Sequence, residues 1–191
     1  MFRAAYRKNL GGTEVAKKNF ELKKMNRTDM ERIKGEYMIE AMRAVSELCG
    51  DTKQGRFYAT KATNAKPIKL TSVKEIFTPQ ELKELKERVN PQVHGCFATA
   101  QKLSLNYGFE YVEGEWGIGG GFGIEHAFNR KGDKYFDFTS EVVLERNIAE
   151  EEFVSIAEFS DNFVREACID LGVYSALIPY KFDRDNNLDY E

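Results

Sequence analysis

Glu125-His126-Ala127-Phe128-Asn129-Arg130-Lys131-Gly132-Asp133-Lys134-Tyr135-Phe136-Asp137-Phe138-Thr139 reads as two strands joined by a turn at Lys131-Gly132-Asp133. Side chains alternate along a strand, so His126 and Phe128 share one face, as do Tyr135, Asp137 and Thr139. A short connection makes the pair antiparallel, and pairing then sets Asp137 opposite or diagonal to His126. From there a carboxylate reaches one imidazole nitrogen and leaves the other for a further partner.

Upstream of this unit, Gly95-Cys96 opens an apolar helical run, Cys96–Tyr107, closed by Gly108. An unperturbed thiol, with a pKa of about 8.5, is only slightly ionised at neutral pH. A helix N-terminus supplies free N–H groups and a positive dipole end, and Gly95 leaves the sulfur uncovered. A thiol enzyme needs a Cys held as thiolate, a His to exchange its proton and a carboxylate to fix the ring tautomer. The chain has 2 histidines and 3 cysteines, so few other assignments exist. His94, two residues before Cys96, is the rival base, but it has no evident carboxylate partner. His94, Cys96, His126 and Asp137 are all metal-ligand types, yet they lack close-paired spacing, and no metal or other cofactor is expected. Cys49 falls at a helix end, and Cys168 lies on an apolar helical stripe where it reads as a buried structural thiol.

The order and residue types of these segments resemble the papain-like cysteine enzymes, closest to their transglutaminase-like branch. That group shows a Cys at a helix start, a His-Ala-aromatic strand, a Gly turn and an Asp-x-Thr strand. The chain also resembles small uncharacterised bacterial and phage proteins that carry a Tyr-Val-Glu-Gly strand between Cys and His, here Tyr111-Val112-Glu113-Gly114. The likeness runs from Gln92 to Thr139. It implies an α+β fold in which a nucleophile helix packs on an antiparallel sheet, with Cys96 as nucleophile, His126 as base and Asp137 as orienting acid. Two positions depart from the family. Phe97 stands where Trp often follows the Cys, and Gln92 lies upstream without the usual spacing of an oxyanion-stabilising Gln. The Cys96 backbone N–H is therefore the safer oxyanion donor. Gln92, His94, Asn129 and Trp116 remain candidate oxyanion or substrate contacts.

The rest of the chain frames this centre. At 191 residues, 42% hydrophobic with 14 Phe and 9 Tyr, it is long and apolar enough to bury a core. Three scattered cysteines with no CxxC pair argue against a disulfide framework, and no apolar run has the length of a membrane span. With no secretion signal at its start, the chain is expected to be cytoplasmic. Residues 1–90 hold 20 Lys/Arg against 12 Asp/Glu, a net of +8, whereas residues 91–191 hold 8 against 19, a net of −11. The division predicts a mainly helical region over 1–90 with a short hairpin, and a Cys-His-Asp α+β core over 91–191, together one compact unit.

Within the first region, residues 1–12 read as a frayed arm and Thr13–Asn26 as a Lys-rich helix. Thr28-Asp29-Met30-Glu31 then reads as a capping box opening an amphipathic helix to Cys49. Alternation over Arg56–Ala62 and Pro67–Val73 predicts the hairpin. Thr78-Pro79-Gln80-Glu81 starts a helix to about Val89. In the second region, Phe109–Trp116, Ile124–Asn129, Tyr135–Thr139 and Val173–Phe182 read as strands, and Ser160 caps a helix ended by Gly172. Gly117-Ile118-Gly119-Gly120-Gly121-Phe122-Gly123 has no following helix or Lys-Ser/Thr end for phosphate binding. It reads instead as a loop leading into the His strand, able to close over substrate.

These features lead to a cysteine-dependent acyl-transfer enzyme acting on a protein, peptide or small amide. The alternative is a non-catalytic binding protein, phage-encoded, whose basic front half holds an acidic host partner. Nucleic acid is not the expected partner, because the basic residues lack aromatic interleaving.

Overall fold

A computed structural model describes residues 27–119, 122–148 and 151–188. The expected arm at 1–12 and the helix at 13–26 lie outside them. Among the described residues the chain forms eight helices and a five-stranded sheet, a mixed α+β fold. The elements are α1 (Arg27–Cys49), α2 (Lys53–Asn64), β1 (Lys66–Ile68), α3 (Val73–Ile76), α4 (Pro79–Val89), α5 (Cys96–Tyr107), β2 (Glu110–Gly119), β3 (Phe122–Lys131), β4 (Lys134–Phe136), α6 (Phe138–Val142), β5 (Phe153–Phe159), α7 (Asp161–Leu171) and α8 (Leu177–Asp185). No helix among them is long and apolar enough to cross a membrane.

The strand order is β1-β5-β2-β3-β4, with every neighbouring pair antiparallel. Just after β1, Leu70 makes a parallel bridge to Tyr135 of β4, and Thr71 N–H donates to the Tyr135 carbonyl at 2.7 Å. The two outer strands are thereby brought together and the sheet curls. One face carries Leu70, Val112, Phe128, Ile148 and Phe153 as a buried cluster. On the opposite side, Tyr111, Ala127 and Phe159 pack against α5, α7 and α8, while α1 and α2 cover Val154 and Ile156.

Local sequence signals explain several elements. Thr78 and Glu81 form the capping box of α4, and Asn90 takes the left-handed conformation at its end. α5 covers the residues its apolar pattern indicates, closed by Gly108, and Ser160 and Gly172 bound α7 as expected. Thr28, read as a cap, is already helical within α1. That helix buries Met38, Ile39 and Met42 but leaves Leu48 exposed.

Other expectations fail for physical reasons. Arg56–Ala62 is helix α2, not half of a hairpin, because the Thr52 hydroxyl accepts from Gly55 N–H and starts a helix there. Its buried face then joins Lys61 to Glu115 at 2.7 Å and Glu125 at 3.2 Å, with Ala62 against α1. Val173–Phe182 is not a strand. The N-terminus of α8 has no local side-chain cap, and Glu113 of β2 accepts from Leu177 N–H and, at 2.8 Å, Ile178 N–H. β4 stops at Phe136, earlier than expected, since Asp137 caps α6. The glycine run is a β-ribbon rather than a loop on both sides of residues 120–121. A Cβ at Gly123 would come 2.5 Å from Glu115 Oε2 and one at Gly117 2.9 Å from Glu152 Cβ, so packing requires both glycines.

Candidate active site

β3 carries His126 into the interior, where it is 7% exposed. The turn at Gly132 returns the chain to Asp137, 1% exposed, immediately after β4. The His126 Nε2 to Asp137 Oδ2 distance is 2.6 Å. Asp137 Oδ1 accepts the Ser140 backbone N–H at 3.0 Å, so the residue that caps α6 also holds the imidazole. With Nε2 engaged, Nδ1 is the nitrogen left over. Cys96, the first residue of α5, stands close enough to the His126 ring for its side chain to bear on the imidazole charge. The three residues singled out in sequence thus converge.

The electrostatics follow from that convergence. Burial works to lower the His126 pKa, but the adjacent Asp137 carboxylate and then Cys96 outweigh it, and it is pushed up to about 10. Burial would raise Asp137, and the His126 charge with the Ser140 hydrogen bonds holds it below the usual carboxylate range. At neutral pH the pair is an imidazolium bound to a carboxylate.

Three aromatic rings wall the imidazole: Trp116 at 6.1 Å, Phe153 at 6.2 Å and Phe128 at 6.5 Å between centroids. Trp116, half-buried on β2, stands beside Glu151 and lies under the Arg146 guanidinium at 4.1 Å. Burial, with a contribution from Asp137, raises the Glu151 pKa, and its Oε2 is buried without a hydrogen-bond partner. Arg146, Ser140 and Glu151 were not anticipated from sequence. Only Ser140 left a local signal, since Asp137-Phe138-Thr139-Ser140 is the pattern of an Asp N-cap.

The remaining candidates are dispersed. Asn129 is 1% exposed, and its amide donates to the Ala100 carbonyl at 2.9 Å, so it clamps α5 to β3 and does not face a substrate. Gln92 is exposed, its amide donating to the backbone and side-chain oxygens of Asn90. His94 is exposed on the same loop at φ +62°. No group of three or more metal-ligand side chains is arranged to hold an ion among the described residues.

A buried network lies behind the thiol. Gln101 of α5 donates to Tyr111 Oη at 3.1 Å and to the Ser175 carbonyl at 2.6 Å, and Tyr111 donates to Glu113. Burial raises Glu113 to about 7, against the pull of Tyr111 and the α8 amides. Glu113, quoted in the sequence only as part of a motif, is structurally the anchor of α8.

Compared with protein-family models, with curated proteins and with solved structures, the chain matches none. Its chemistry rests on its own residues.

Proposed function

We propose that the chain is a cysteine-dependent acyl-transfer enzyme of papain-like, transglutaminase-like arrangement, with Cys96 as nucleophile, His126 as acid and base, and Asp137 as the group that orients His126. The observation that carries this reading is the buried 2.6 Å His126–Asp137 pair, with Cys96 at the start of α5 near enough to act on the same imidazole. An imidazolium and a helix N-terminus both favour a thiolate. The N-terminus of α5 also has no side-chain cap, which leaves its first N–H groups to receive an oxyanion.

In this mechanism the Cys96 thiolate adds its electron pair to the carbonyl carbon of an amide or ester. The negative charge that develops on oxygen is met by the Cys96 N–H. As the C–N or C–O bond breaks, His126 gives its proton to the leaving group, and a thioester remains. Water or an amine then attacks the thioester, His126 takes the attacking group's proton, and the thiolate departs. Asp137 stays ionised throughout and holds the ring.

Iodoacetamide labelling followed by peptide mass spectrometry tests the reading. Cys96 should react faster than Cys49 and Cys168, the latter being raised in pKa by burial, and His126→Ala should remove the difference. Equal labelling of all three thiols in the folded protein overturns the proposal.

A further inference from the structure

β3 is paired along most of its length on one side only. β2 matches it from Phe122 to Arg130, but β4 reaches no further than Asn129, Arg130 and Lys131. Over residues 122–128 no described residue pairs with its other side, and no backbone hydrogen bond from elsewhere in the described chain ends there. His126 lies within this stretch. An unpaired edge exposes a row of amides and carbonyls spaced to accept another extended chain.

The side chains around that edge are unusual for a solvated strand. Phe122 is 58% exposed and Ile124 43%, and Ile118 on the facing strand is 59% exposed. Ile124 pairs with Trp116 and lies two residues from His126, so an apolar row leads from the ribbon tip to the imidazole. Charge adds a second constraint. Glu125 is half-exposed beside its Lys61 partner, Glu151 next to Trp116 keeps one buried oxygen without a hydrogen bond, and residues 91–191 carry a net −11.

We infer that the outer edge of β3, from Phe122 to Glu125, is a docking site for an extended, basic polypeptide segment that adds to the sheet as a further strand. Main-chain hydrogen bonds would supply affinity, and alternate apolar side chains would lie on Phe122 and Ile124. Basic side chains would answer the acidic surroundings. The inference rests on the acyl-transfer reading for its consequence: a strand laid along this edge passes His126, so the substrate is a polypeptide rather than a free small amide. Docking itself requires no chemistry and is tested separately.

The probe is an acetylated, amidated octapeptide of alternating Lys and Val, titrated into the full-length Cys96→Ala protein and followed by amide hydrogen exchange and NMR shifts. Protection of amides within residues 122–125 is expected. A Glu–Val octapeptide, a Lys–Val peptide methylated on alternate backbone nitrogens, and the Phe122→Glu/Ile124→Glu variant should each weaken binding at least about tenfold. The variant must keep the wild-type thermal midpoint; if it does not, Ile124→Ser takes its place in the comparison. Absence of binding, protection elsewhere than on this edge, or equal binding of the Lys and Glu peptides overturns the inference. Failure of Cys96 labelling with docking intact removes the enzyme reading and leaves the edge as a binding surface.

Discussion

The curled sheet holds two clusters of charge that are built on opposite terms. Near one end of β3, Glu158 of β5 accepts from Lys66 of β1 at 3.0 Å, Arg130 of β3 at 2.9 Å and Tyr135 of β4 at 2.7 Å, and Arg130 also meets Glu110 of β2. All five strands contribute, and the charged groups answer one another at a half-exposed site. Four residues back along β3, His126 and Asp137 are both buried, with aromatic walls and a thiol as third member. The first cluster ties strands together where water still screens it, so each of its pairs contributes little. The second keeps its charge out of water, where an imidazolium is held at a cost and is available for chemistry.

The contrast breaks hardest at Asp137. Asp137→Ala should abolish acyl transfer and lower stability by about 3 kcal/mol, because a buried partner and the cap of α6 go together. Asp137→Asn should retain more of the fold but change the pH response. His126 has a folded pKa of about 10, above its ordinary 6.5. Its stabilising contribution is therefore complete below its ordinary value and is lost as pH rises through about 10. The Asp137 contribution has the reverse sense, present above 3.8 and lost as pH falls through its lower folded value. Thermal midpoints from mild acid to strong alkali should show the alkaline loss in the wild type and not in Asp137→Asn.

Glu113 sharpens the comparison, as a buried carboxylate held by the Tyr111 hydroxyl and two backbone amides. Its folded pKa of about 7 exceeds the ordinary 4.5, so stability falls as pH rises through that interval. Glu113→Gln should flatten the midpoint across that window and cost about 1–2 kcal/mol at acid pH, where the lost α8 caps dominate. An unchanged pH profile would mean that Glu113 stays ionised.

At the other cluster, Glu158→Gln should cost about 1 kcal/mol, kept small by solvent, and the loss should shrink in high salt. Cys96 alkylation should not change. A fall in Cys96 reactivity would show that the clusters communicate along β3. Smallest of all, Thr78→Ala removes one hydroxyl from the α4 cap, and a slight drop in midpoint with an unaltered site is expected.

The candidate site was legible because its residues carry local signals: a Gly before an apolar helix for Cys96, an alternating strand for His126, and a turn that returns the chain for Asp137. What escaped was set by distant partners. Phe153–Ile156 are buried on both faces, so β5 shows no alternation by which to recognise it. α8 borrows its cap from Glu113, sixty-four residues earlier, and nothing in Ser175–Tyr180 announces it. Phe57, Tyr58, Lys61 and Ala62 in α2 recur at the i, i+1, i+4, i+5 spacing of one helix face, and the Thr52 cap starts that helix.

The place of β5 between β1 and β2 has a consequence for how the protein comes into being. As the chain leaves the ribosome, β2, β3 and β4 can zip into a meander, and Cys96, His126 and Asp137 are already outside. The first strand must nevertheless wait, unpaired on its main side, until Phe153 to Ser155 have been made. Glu113 waits longer still, for the amides of Leu177 and Ile178. All the reactive groups are thus synthesised well before the frame that aligns them, and a nascent or truncated chain carries the parts without the alignment.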